Sequence, residues 1–96
     1  MIISQNENRN WAPSNYSGIE FCWLSKNSAN GGTALLRLQK NASLPKHKHP
    51  GWEQIFVIEG QIRFCDTLLV SGDHVFTNAG EIHQLLVIES TILLVG

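Results

Sequence analysis

Leu44-Pro45-Lys46-His47-Lys48-His49-Pro50-Gly51-Trp52-Glu53-Gln54-Ile55-Phe56-Val57-Ile58-Glu59-Gly60 is the stretch around which the chain is organised. Pro45, Pro50 and Gly51 break any helical reading, so the His-x-His pair lies on an extended segment. In an extended chain residues two apart share a face and lie roughly 6.5–7 Å apart. His47 and His49 therefore point one way, and Lys46 and Lys48 the other. Glu53 has the same parity as the histidines and re-enters after the Pro50-Gly51 turn. From Glu53 to Glu59 the chain reads as a strand, closed by Gly60.

Working outward, the same pattern repeats on both sides. Downstream, Gln61–Phe64 and Leu68–Val70 flank a turn at Cys65-Asp66-Thr67, and Ser71-Gly72-Asp73 makes another turn. His74–Thr77, His83–Ile88 and Thr91–Val95 read as further strands, separated by the Asn78–Glu81 loop and by Glu89-Ser90. Upstream, Met1–Ser4 is a candidate short strand and Gln5–Asn10 a polar connection. Trp11–Gly18 is turn-rich. Ile19–Ser25 is a strand with Ile19, Phe21 and Trp23 on one face, and Thr33–Gln39 alternates Ala34, Leu36 and Leu38 against Leu35 and Arg37. Lys26–Gly32 is a loop between them, and Lys40–Ser43 turns the chain into the central stretch. No window holds a helical period long enough for an ordinary helix. Many short strands punctuated by Gly, Asn and Pro specify an all-β sandwich or barrel.

Composition narrows the function classes. With 96 residues the chain is one domain, 1–96, and its net charge of −1 comes without any block of like charges. Phosphate-backbone binding needs clustered Lys and Arg, so nucleic acid is not expected as a partner. The apolar runs Leu85–Ile88 and Ile92–Val95 are too short to span a bilayer. With no secretory signal pattern, a cytoplasmic protein with Cys22 and Cys65 as free thiols is expected.

The central stretch carries the chemistry. Two imidazoles of like parity can bind one ion at about 2.0–2.1 Å each, and a carboxylate beside them offsets part of its charge. His83, on a later strand behind the turn at Gly80, is the candidate fourth ligand. His47, His49, Glu53 and His83 thus form a candidate site for one divalent metal ion, with positions left open for water or a ligand. Zinc is the expected ion, and iron, manganese and nickel also suit such donors. A lone His-x-His on a strand is more often a solvated pair. The added Glu53 and His83 shift the balance toward a metal. His74 lies outside the pattern and reads as a partly exposed structural residue. Trp11, Trp23 and Trp52 read as core or barrel-mouth residues, and Gln54, of opposite parity to Glu53, as a surface group.

The spacing His47-x-His49-x3-Glu53-x6-Gly60 resembles the first motif of the cupin superfamily. Gly72-x5-Asn78-x-Gly80-x2-His83 resembles the second, with Asn78 where proline is usual and Val87 where asparagine often follows. Trp11-x-Pro13, the Ala34–Leu38 strand, Leu44-Pro45, His49-Pro50-Gly51 and Phe56–Gly60 are most similar to the cupin-like domain of ChrR-type anti-sigma factors. The resemblance implies a jelly-roll β-barrel, or double-stranded β-helix, spanning residues 19–96 behind an N-terminal arm of residues 1–18, with the metal inside. It does not imply anti-sigma activity, which in that family belongs to a separate zinc-binding domain.

Besides a structural or interaction protein whose barrel has lost its metal, two functions follow as expectations. One is a metal-bound binding or sensing module. The other is a metal-dependent enzyme, an oxygenase or enolising enzyme for a small carbonyl or diketone compound, with Trp52, Gln61 and Arg63 as pocket residues. Apolar residues on both faces of the central strands require cover outside as well as inside, so a homodimer is expected, with strand exchange through the N-terminal arm.

Overall fold

Two long strands carry the fold. In the structure, a computed structural model that describes residues 1–26 and 31–96, β5 runs Glu53–Phe64 and β8 runs Ile82–Val95. They pair antiparallel from Ile55 opposite Val95 to Phe64 opposite Leu85. The sequence suggested a break in each, at Gly60 and at Glu89-Ser90. These turn out to be two sides of one bend, with Gln61 opposite Glu89 and the register shifting around them. Gly60 has φ +103°, and a Cβ there would stand 2.6 Å from Thr91 Cα and collide with Ser90 O and Thr91 Oγ1. Only glycine fits. The buried Thr91 fastens the bend: its hydroxyl accepts from Gln61 N–H at 3.0 Å and donates to Glu89 O at 2.7 Å. The ladder therefore kinks without ending.

The kink lets each long strand change partners. The first half of β8 pairs with β4 (Ser43–Lys48) and the second with β3 (Gly32–Leu38). The first half of β5 pairs with β7 (His74–Thr77) and the second with β6 (Thr67–Val70). Beyond β3 lies β2 (Ile19–Lys26), which carries the two-residue β1 (Ala12–Pro13) on its outer edge. Every pairing is antiparallel, and the result is an all-β jelly roll. Among the described residues no helix is long and apolar enough to cross a membrane.

Strand alternation fills the interior. Ile55, Val57, Ile62 and Phe64 of β5 pack with Leu85, Val87 and Leu93 of β8, joined by Ile19, Leu38 and Leu69. Each such side chain stabilises the fold by about 1.5–3 kcal/mol relative to exposure. Along β5 the inward positions are odd before the bend and even after it, because the bulge at Gly60 changes parity. The alternate positions Phe56, Ile58 and Leu86 are 40, 42 and 42% exposed.

Some expectations are corrected. Met1–Ser4 forms no strand, and the first ordered element is a 3-10 turn at Asn6–Asn8. Trp23 and Trp52 are 46 and 57% exposed rather than core residues, and Trp11 lies against the Arg37 guanidinium, 4.2 Å from its ring centre. The loop expected over Lys26–Gly32 falls mostly on residues 27–30, outside the described residues. Cys22 and Cys65 are free thiols.

Candidate metal centre

β4 sets the first two histidines. Its register against β8 shifts between Leu44 and His47, at Pro45, whose missing N–H suits it to a bulge. The shift changes parity, so that Leu44 packs against the core and His47, three residues on, also reaches the interior side. There it stands directly opposite His83, with ring centres 4.2 Å apart and planes at 82°. His49 lies beyond the strand end, held by Gly80 N–H donating to its carbonyl at 2.9 Å. This bond ties the β7–β8 loop to the two histidines.

Glu53 opens β5 opposite the buried Thr77. Its Oε2 lies 3.6 Å from His49 Nε2 and its Oε1 3.6 Å from His83 Nε2. Both separations exceed an ordinary hydrogen bond. The four side chains that the spacing selected thus form one contiguous cluster, His47–His83–Glu53–His49. The cluster is looser than a closed ligand shell. Among the described residues no group of three His, Cys, Asp or Glu is close enough to hold a metal as it stands.

Its protonation is largely set by the backbone. His47 Nδ1 lies 3.0 Å from Pro45 O, and His49 Nδ1 lies 2.9 Å from Gly51 O. A carbonyl only accepts, so in a neutral ring this contact is a hydrogen bond only with the proton on Nδ1 and the lone pair on Nε2. Gly51 N–H also approaches His49 Nδ1, at the longer distance of 3.3 Å, a contact that the opposite tautomer would use. An outer nitrogen bonded to a backbone carbonyl is how metal-binding histidines are commonly oriented. His83 differs. It is 4% exposed, and among the described residues its Nδ1 has no hydrogen-bond partner. Burial, reinforced by His47 and His49, holds its pKa below the ordinary 6.5 against the opposing pull of Glu53 and Glu81. His83 is neutral at neutral pH.

Sequence reasoning missed Phe64, whose ring lies 5.3 Å from that of His83, and Thr77, whose hydroxyl donates to Glu53 O at 3.4 Å. Phe64 would have been found by changing parity at Gly60. The same change moves Arg63 to the outer, exposed face, where with Ser43, Pro45, Cys65 and Gln84 it lines a separate cavity of about 300 Å³. Gln61 sits at the bend. Trp52 stacks on the exposed Phe76 outside, at 5.9 Å and 23°. Gln54 and His74 are exposed, as expected, and they pair at 3.0 Å, which the sequence did not indicate.

The profile of the ChrR Cupin-like domain matches residues 1–96. The chain belongs to the ChrR cupin-like domain family. Solved structures share its fold at low identity. An RmlC-like cupin from Shewanella frigidimarina superposes with a TM-score of 0.88 at 20% identity, over 97% of this chain and 86% of that one. The Rhodobacter sphaeroides complex of SigE with the anti-sigma ChrR gives 0.78 at 20% identity, over 95% of this chain but 49% of the other, so this cupin spans about half of that relative. A putative acetylacetone dioxygenase from Methylibium petroleiphilum gives 0.84 at 16% identity, over 96 and 72% of the two chains. Among curated proteins none matches the chain.

Proposed function

We propose that this cupin holds one divalent metal ion, zinc, on His47, His49, Glu53 and His83, and works as a small binding or sensing module. The observation that carries the reading is the pair of contacts from His47 Nδ1 and His49 Nδ1 to backbone carbonyls. With Nδ1 donating to those carbonyls, both Nε2 lone pairs would be free, beside a carboxylate that approaches His49 and His83 within 3.6 Å. Glu53 would offset part of the ion's charge, and His83 offers a neutral imidazole because burial keeps it unprotonated. Phe64 and Thr77 wall the cluster. A bound ion would supply a Lewis-acidic open position for a ligand oxygen. Arg63 and Trp52 lie on the outer face, away from the donors, which favours binding over turnover.

The reading includes a homodimer that covers part of the apolar outer face around Phe56, Ile58 and Leu86, since such patches mark association surfaces.

Thermal unfolding with and without zinc tests the metal. At a hundredfold excess over Kd an ion bound only to the native state adds about 2.7 kcal/mol, which for a domain of this size raises Tm on the order of 10 °C. The rise should vanish in His83→Ala. No rise in the native chain, or an equal one in His83→Ala, rejects the site.

A further inference from the structure

Arg63 is a cation without a counter-charge. Of the three arginines, Arg37 pairs with Glu20 at 2.9 Å and Arg9 donates to the Asn6 side chain. Arg63 has no hydrogen-bond or ion-pair partner among the described residues. A guanidinium is permanently charged and carries five donors in a planar fork. Arg63 is exposed on the outer face, at one wall of the cavity of about 300 Å³ between β4, β8 and the end of β5.

The strand register gathers further polar groups at the same place. Leu86 of β8 pairs with Arg63 of β5 on one side and with Ser43 of β4 on the other. Neighbouring strands lie about 4.8 Å apart, so Arg63 and Ser43 flank Leu86 at roughly 10 Å from each other. Gln84, two residues before Leu86, shares its face by alternation and is exposed with it. The Ser43 hydroxyl and the side-chain amide of Gln84, like Arg63, have no hydrogen-bond partner among the described residues. Pro45 and Leu86 supply an apolar wall, and Cys65 lines the cavity too, tied by its N–H to Gln84 O at 3.0 Å. Among the described residues no Asp or Glu lines it. His83 and Leu85 are buried on the other face of β8, so this cavity is separate from the metal cluster.

We propose that this outer cavity binds a small carboxylate with a short aliphatic body. The guanidinium fork of Arg63 matches two carboxylate oxygens. Ser43 and Gln84 offer further donors, and the carbon chain lies on Pro45 and Leu86. A volume of about 300 Å³ is at the small end of ligand pockets, which suits an acid of a few carbons. One cation beside an apolar wall favours a monoanion over a phosphate dianion, whose second charge would be left unpaired. Leu86 also belongs to the face that the homodimer reading covers, so access in solution is part of the test.

Cys65 is a reporter inside the cavity, and labelling of the buried Cys22 would signal unfolding. Iodoacetate and iodoacetamide both alkylate a thiolate sulfur with loss of iodide, and only iodoacetate carries the carboxylate. Their rate ratio at Cys65, read by peptide mass mapping, is therefore independent of how much thiolate is present. In the native chain the iodoacetate rate should saturate with concentration, and the ratio should exceed that of free mercaptoethanol at least about tenfold. Butyrate should protect Cys65, and inorganic phosphate at equal ionic strength should not. Arg63→Gln, checked for folding by circular dichroism, should return the ratio to the mercaptoethanol value. A rate that does not saturate, a native ratio no higher than that of mercaptoethanol, or a ratio unchanged in Arg63→Gln rejects the site. A Cys65 that resists both reagents also rejects it, because the face is then closed in solution. Protection by phosphate but not by butyrate overturns the carboxylate assignment.

Discussion

The two ends of β8 follow one rule and reach different results. From Thr91 to Val95 alternation turns Leu93 inward, fully buried between Leu36 of β3 and Val57 of β5. From Ile82 to Val87 the same alternation turns His83, Leu85 and Val87 inward. His83 is as buried as its leucine neighbour, but it brings an imidazole with an unpaired Nδ1 and a carboxylate nearby. An unsatisfied buried polar group costs about 1–3 kcal/mol, so an apolar side chain would serve stability better at that point. The apolar end of β8 explains why the chain folds. The histidine end has no such explanation and points to a ligand.

The comparison can be broken by changing each end and the bend between them. The largest effect is expected at the bend, where Gly60→Val places a branched side chain against Thr91 and Ser90 at a positive φ. A domain with only about 5–15 kcal/mol of stability should lose its cooperative transition in chemical denaturation. Next, Leu93→Ala should lower stability by about 2–5 kcal/mol through cavity formation, with zinc uptake kept by whatever fraction stays folded.

A smaller effect separates the ends by pH. The pKa of His83 is lower in the folded chain than its ordinary 6.5, so on acidification the unfolded chain takes up the proton first. Stability of metal-free protein should be level above about pH 6.5 and fall below it, by at most about 1.36 kcal/mol per pH unit for one group. In His83→Gln that share of the pH dependence should disappear from urea titrations run at several pH values. If it persists unchanged, burial of His83 is not what sets it. The smallest effect belongs to Arg63→Ala. An exposed residue away from the cluster should change stability by no more than about 0.5 kcal/mol and leave the zinc-induced rise in Tm intact.

The sequence was most informative where one period ran without interruption. Glu53, Ile55 and Val57 kept their parity, His74–Thr77 matched β7 at both ends, and the four candidate ligands came together. It misled where a bulge intervened. Gly60 was legible as a stop but not as a bend, since only its closeness to Thr91 across the ladder shows that the strand continues. The face of Arg63 was therefore left open by the sequence, and Phe64 was overlooked. Pro45 acts in the same way on β4, where its bulge allows both Leu44 and His47 to face inward. Met1–Ser4 was misread for another reason: propensity favours a strand there, but among the described residues no strand pairs with it.

The central claim is that the histidine end of β8 exists to complete a metal site. Elemental analysis of untagged protein, run beside His47→Ala and His83→Ala, tests it most directly. The account predicts one divalent ion per chain in the native protein and a loss of most of it in each variant. Substoichiometric metal in the native chain, or full occupancy in either variant, would contradict it.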